Sequence, residues 1–150
     1  NQASLGGTIV VGDRESEVLA CLLALDAQII LTNSLGEKTI PLSIFLGNPS
    51  SFKGIITEVS ILTQGTMAHE RVCRTPHDRP IIAAVGRKDH SGKTFIAFCG
   101  IGKIPILLDK NDLASYNTIE DFRGNSEYRK SLAKILRERI LSQWEKSNAN

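Results

Sequence analysis

The first residues that could do chemistry form a glycine pair near the start, Ser4-Leu5-Gly6-Gly7-Thr8. Glycines lack a Cβ, so paired ones let main-chain amides lie close against a pyrophosphate; a plain tight turn is the competing reading. Other candidates fail on spacing. The run from Gly86 to Thr94 ends in Gly92-Lys93-Thr94, but a phosphate-binding P-loop needs four residues between its glycines and a helix after them. Here there are five, between two strand-like segments. Gly100-Ile101-Gly102 lacks the third glycine of a dinucleotide fingerprint and reads as a turn. His69-Glu70 begins like a zinc-protease helix but meets Cys73 in an apparent strand. His69, His77 and His90 share no metal-ligand spacing and read as surface or loop residues. No Gly-x-Ser-x-Gly elbow occurs. No residue is nominated as catalytic, and none as a metal ligand.

The elements that must position these residues alternate hairpins with helices. Gly12 and Asp13 mark a turn, and Asp13 is placed to cap a helix whose apolar positions run from Val18 to Leu25. Glu15 and Glu17 are assigned to its first turn, where the dipole favours acids. Gln28–Thr32 and Lys38–Leu42 read as a hairpin around Gly36, followed by a short amphipathic turn to Leu46. Ile55–Leu62 is expected to be a strand with one buried face, and Thr66–Arg74 a weaker strand. Ile81–Val85 and Thr94–Cys99 are apolar strands joined by a polar loop, Gly86 to Lys93. After a loop-rich stretch, Ser126 to Trp144 has helical spacing, and a frayed polar tail is expected from Ser147. The class expected is α+β, an antiparallel sheet with packed helices.

Bulk properties narrow the function. The 150 residues are 41% hydrophobic and 23% charged, enough for a real core. Eighteen basic against sixteen acidic residues leave a net charge of +2, and aromatics make up 5%. Neither a field for nucleic acid nor a stacking platform is present. The longest apolar run, Val18 to Leu25, is far short of the roughly 20 residues of a membrane span. Cys21, Cys73 and Cys99 lie apart among apolar neighbours, read as inert core thiols in a reducing, cytoplasmic setting.

Ser4-Leu5-Gly6-Gly7-Thr8-Ile9 resembles the T/S-[IVL]-G-G-N-[IL] segment of the FAD-binding (medium) subunits of the molybdenum hydroxylase family, that of xanthine dehydrogenase and carbon monoxide dehydrogenase. Ser16-Glu17 stands where the family has Ser-Asp, and Leu19 to Ala27 reads L-A-C-L-L-A-L-D-A against the family's L-P-A-L-L-A-L-D-A. Gly36 to Leu42 is similar to its hairpin, Arg74 to Ile81 to its R-T-P-A-D-x-P-I, and Gly100 to Ile106 to its G-V-A-P-T-P-V turn. Asp121 to Arg129 is similar to its D-x-R-G-S-A-E-Y-R. The matches keep their order along nearly the whole chain.

The resemblance implies FAD contacts at Ser4, Leu5, Gly6, Gly7, Thr8 and Glu17, with Ile56 as an apolar flavin-side contact and Arg71 as a basic one. Thr8 replaces the family's Asn, and Glu17 its Asp. It also implies a second lobe of the FAD-binding domain over residues 1–75 and the flavoprotein carboxy-terminal α+β domain over 76–150, with the boundary near Arg71 to Pro80. A first glycine-rich FAD loop would lie upstream on another lobe. Half a cleft cannot desolvate a dinucleotide, so this chain alone is expected to bind FAD weakly or not at all and to be inactive by itself. The function implied is electron relay through FAD to an acceptor such as NAD. The implied partners are a molybdenum cofactor-binding large subunit and an iron–sulfur small subunit; a homo-oligomer is left open, and neither nucleic acid nor membrane is expected as a partner. The alternative is a non-catalytic α+β interaction domain docking hydroxylase subunits, with structural glycines.

Overall fold

The computed structural model describes residues 3–147. Residues 1–2 and the end of the tail expected to fray, 148–150, lie outside the described residues. Ser4 ends an extended segment and its hydroxyl accepts the Gly7 N–H, starting helix α1, Leu5–Val11. Gly12, at φ +59°, closes it in the left-handed region where a side chain is disfavoured. Thus the glycine pair, for which a tight turn was the competing reading, lies in the opening turn of a short helix.

Helix α2 follows, Glu17–Ala24. Its cap is Ser16, whose hydroxyl accepts the Leu19 N–H, not Asp13 as expected. Asp13 instead accepts the Glu15 N–H within the connector, so only Glu17 of the two glutamates enters the first turn. Strands β1 (Gln28–Asn33) and β2 (Gly36–Pro41) make the expected hairpin, Gln28 facing Pro41 and Asn33 facing Gly36. Helix α3, Leu42–Gly47, and a 3-10 turn, Pro49–Ser51, lead to β3, Ile55–Ser60, on the other edge of β1.

β3 does not have the buried face expected of it. Ile55 is 73% exposed, and only Ile56 and Val59 are partly covered. Those two lie three apart, not two. A bulge explains it: Leu31 faces Ile56 while Ile30 faces Glu58, so Thr57 is an extra residue and the alternation slips by one.

The second sheet has the order β4 (Thr66–Val72), β5 (Ile82–Lys88), β6 (Thr94–Cys99), β7 (Ile106–Leu107), all antiparallel. It is sandwiched. Ala83, Val85, Ala97 and Cys99 face one apolar cluster with α2, while Ile82, Ala84, Ile96 and Phe98 face another with the last helix. Burial on both faces is why β5 is buried along nearly its whole length. Helix α4, Lys110–Ser115, capped by Asp109, occupies a stretch expected to be loop. Helix α5, Ser126–Ser147, then packs across β4 and β5.

β5 also runs past its expected end, because Gly86 lets α5 come down on the strand: a Cβ there would lie 2.7 Å from Ile140 Cγ2. Pairing of β4 with β5 puts the change of sheet between Ser60 and Thr66, ahead of residue 75. The cluster around α2 draws residues from both sides of that point, joining the two sheets through one core. The cysteine expectation holds most fully for Cys99, which is buried with its thiol pushed up to about 12 by burial. Cys21, half-buried, packs against the same core, and burial pushes its thiol up as well; Cys73 is half-buried.

Candidate functional site

Both short helices open their amino-terminal turns onto one cleft of about 600 Å³. Ser4, Gly7 and Thr8 of α1 line one side; Ser16, Glu17 and Val18 of α2 line the other. A helix start leaves main-chain N–H groups without intrahelical partners and carries partial positive charge, so such turns favour anions. Each capping serine already takes one amide, Gly7 N at 3.1 Å and Leu19 N at 3.2 Å.

The two glycines differ. Gly7 forms part of the cleft wall without a side chain, and a Cβ there would meet Ser4 Oγ, the capping atom itself, at 3.0 Å. Gly6 faces the other way, its Cβ position 3.7 Å from Ile56 Cβ, where α1 leans on β3. Leu5 is 45% exposed and, like Gly6 and Ile56, does not line the cleft.

Three acids border the cleft, and each already has a base. Asp13 pairs with Arg79, Glu15 with Arg123, and Glu17 with His69 at 2.9 Å and Arg71 at 3.5 Å. Arg123 holds the Glu15 carboxyl below its ordinary range against the opposing effect of burial, with Arg14 adding to the pull. The acids are thereby neutralised in pairs, and the cleft does not repel an anion as its composition alone suggests.

Glu17 and Val18 also line a second concavity of about 690 Å³, whose wall is apolar: Cys21, Leu25, Met67, Ala68 and Val85. Arg71 and His69, from β4, stand at its polar end. Arg71 Nη2 donates to Asp78 O at 2.6 Å, and its buried Nε has no hydrogen-bond partner among the described residues. A polar cleft with two helix starts thus adjoins an apolar trough at Glu17. This arrangement fits an elongated ligand with a charged middle and a flat apolar end. Gly7 leaves room for a close main-chain approach, and Arg71 turns its Nε toward Glu17.

The structure therefore gathers Ser4, Gly7, Thr8 and Glu17 in one place and joins Arg71 to them through Glu17. Sequence reasoning missed Ser16, Val18 and Arg79. Ser16 carried a readable signal, a serine just ahead of an apolar-periodic helix; Arg79 carried none. His69 is exposed, as expected of a surface residue, and stands on β4 bonded to Glu17. Among the described residues no group of three or more His, Cys, Asp or Glu could hold a metal ion, and no helix is long and apolar enough to cross a membrane.

Comparison with known proteins gives this geometry a context. Residues 1–63 match the family described as the FAD binding domain in molybdopterin dehydrogenase. The chain is 31% identical over 151 aligned positions to the uncharacterised protein YgfM of Escherichia coli, covering 91% of this chain and 56% of that one. It thus spans little more than half the length of that relative. In fold it resembles a chain of reconstituted CO dehydrogenase from Oligotropha carboxidovorans, with a TM-score of 0.76 at 21% identity, over 93% of this chain and 60% of the other. A chain of quinoline 2-oxidoreductase from Pseudomonas putida 86 gives 0.77 at 16% identity, over 95% and 60%. Residues 1–63 thus match an FAD-binding domain family, and the chain as a whole has the fold that these chains share.

Proposed function

We propose that this chain forms one wall of the FAD site in a cytoplasmic flavoprotein subunit that passes electrons from a molybdenum and iron–sulfur hydroxylase to an acceptor such as NAD. The observation that carries the reading is the convergence of the α1 and α2 starts on one cleft, with Gly7 bare in its wall. Main-chain N–H groups of the first turns of α1 and α2 would hold the diphosphate, and Ser4 and Thr8 hydroxyls border it. Glu17 would accept from a sugar or ribityl hydroxyl while His69 and Arg71 fix its carboxylate. Leu5, Gly6 and Ile56 would act from behind, setting how α1 leans on β3. When bound, FAD supplies the redox chemistry; the protein contributes binding, orientation and exclusion of water.

The partners in this reading are a molybdenum cofactor-binding large subunit and an iron–sulfur small subunit. Apolar side chains left open beside the cleft, Val10 at 60% and Val11 at 76%, support docking of a further protein unit there. The test is the absorbance spectrum of the full encoded polypeptide purified with added FAD. Flavin bands that survive desalting are expected for it, and weak or absent bands for the 150-residue chain alone. A full polypeptide that never retains flavin would overturn the reading.

A further inference from the structure

The connector between α1 and α2 carries cleft residues Asp13, Glu15 and Ser16 yet has no regular structure of its own. What fixes it comes from far along the chain. Gly100 N donates to Arg14 O at 2.6 Å, and Arg123 donates to the Glu15 carboxylate across 108 positions of sequence. Arg123 also donates to Asp121 Oδ2 at 3.2 Å, and Asp121 receives Arg129 Nη2 at 2.6 Å. Arg129 is fully buried and donates to the carbonyls of Ile81 and Gly100, both at 2.6 Å. The chain of contacts therefore runs from the start of α5, through the ends of β5 and β6, to the cleft wall.

We infer that Arg123 is a positioning residue for the cofactor cleft: it holds Glu15 and the α1–α2 connector, and so sets how the two helix starts face one another. The inference rests on the flavin reading above. Both partners are well covered, Arg123 at 14% side-chain exposure and Glu15 at 9%, so their charge-assisted bond is little screened by solvent. A guanidinium bridges two carboxylates at once; a lysine keeps the charge but loses the fork. Arg123 does not itself line the cleft and would act through Glu15.

The test uses the full encoded polypeptide and measures the FAD dissociation constant by flavin fluorescence, with melting temperature recorded beside it. Arg123→Met is expected to weaken FAD by roughly ten- to hundredfold, the scale of a small misplacement of binding groups. Arg123→Lys should recover part of that loss. Gly86→Ala, which disturbs packing under α5 away from the cleft, serves as the stability control and should leave FAD affinity unchanged. If Arg123→Met does not fold, Asp121→Asn, which frees Arg123 from its second carboxylate, should weaken FAD severalfold. Wild-type affinity in Arg123→Met, or in Asp121→Asn where only that variant folds, overturns the inference and leaves the flavin reading standing. An equal loss of affinity in Gly86→Ala does the same, since stability alone would then explain the effect. A wild-type polypeptide that binds no FAD overturns both.

Discussion

Replacing Arg129 by methionine is the sharpest test of how the ends of β5 and β6 are held to α5. The guanidinium is fully buried and satisfies three groups at 2.6 Å: the carbonyls of Ile81 and Gly100, and Asp121 Oδ1. Methionine of similar length fills much of the space but offers no donor. Asp121 keeps Arg14 and Arg123, so it is not left alone. The two carbonyls lose a charged donor each. Leaving the two buried carbonyl acceptors unpaired costs about 1–3 kcal/mol each. For a chain of this size that corresponds to a melting temperature lower by about 10 °C. Urea denaturation followed by far-ultraviolet circular dichroism reads it directly as a fall in midpoint at unchanged slope. Arg129→Lys should fall between, because one ammonium cannot reach all three acceptors. A loss below about 1 kcal/mol for Arg129→Met would refute the reasoning, since that is the scale of an ordinary solvent-exposed ion pair.

Three further outcomes follow from the same packing and charge network. Gly86→Ala places a Cβ 2.7 Å from Ile140 Cγ2 and 2.8 Å from Trp144 Cη2, so overpacking should cost about 1–3 kcal/mol in urea denaturation. Asp121 lies at about 2 instead of 3.8: burial pushes it up, but hydrogen bonds from Arg123 and Arg129 outweigh this. Its folded value is depressed, so its contribution is complete above 3.8 and is lost as pH falls toward 2; wild type should lose urea resistance over that window more steeply than Asp121→Asn, and equal slopes would refute this. Gly7→Ala gains about 0.5–1 kcal/mol of helix propensity against a crowded cap, so stability should change little. In the full polypeptide its FAD affinity should nevertheless fall about tenfold by flavin fluorescence, a loss of about 1.4 kcal/mol.

Much of the fold was legible because its signals are local. Both hairpins follow from β-branched runs around turn residues, and α5 follows from its spacing and length. The family resemblance rested on ordered short motifs and agrees with the FAD-binding domain family matched over residues 1–63. Helix α4 escaped because it has six residues and one buried side chain, Leu113, too few to show a period. Its cap, Asp109, was readable only in hindsight of the helix. The end of β5 was misplaced because Gly86-Arg87-Lys88 looks polar, yet Gly86 lies under α5 and Arg87 is buried, donating to Ala24 O at 2.8 Å.

Sequence alone determined the class of elements and carried the family resemblance, and it nominated four residues that share the cleft, since each depends on neighbours within a few positions. Tertiary structure decided which of the two glycines faces the cleft, where β3 slips its register, and that Arg79 and His69 stand at the site. It also decided that residues near 123 hold residues near 15. The physical reason is the same throughout: a hydrogen bond or a packed face joins groups far apart along the chain, and no local pattern records which distant group will arrive.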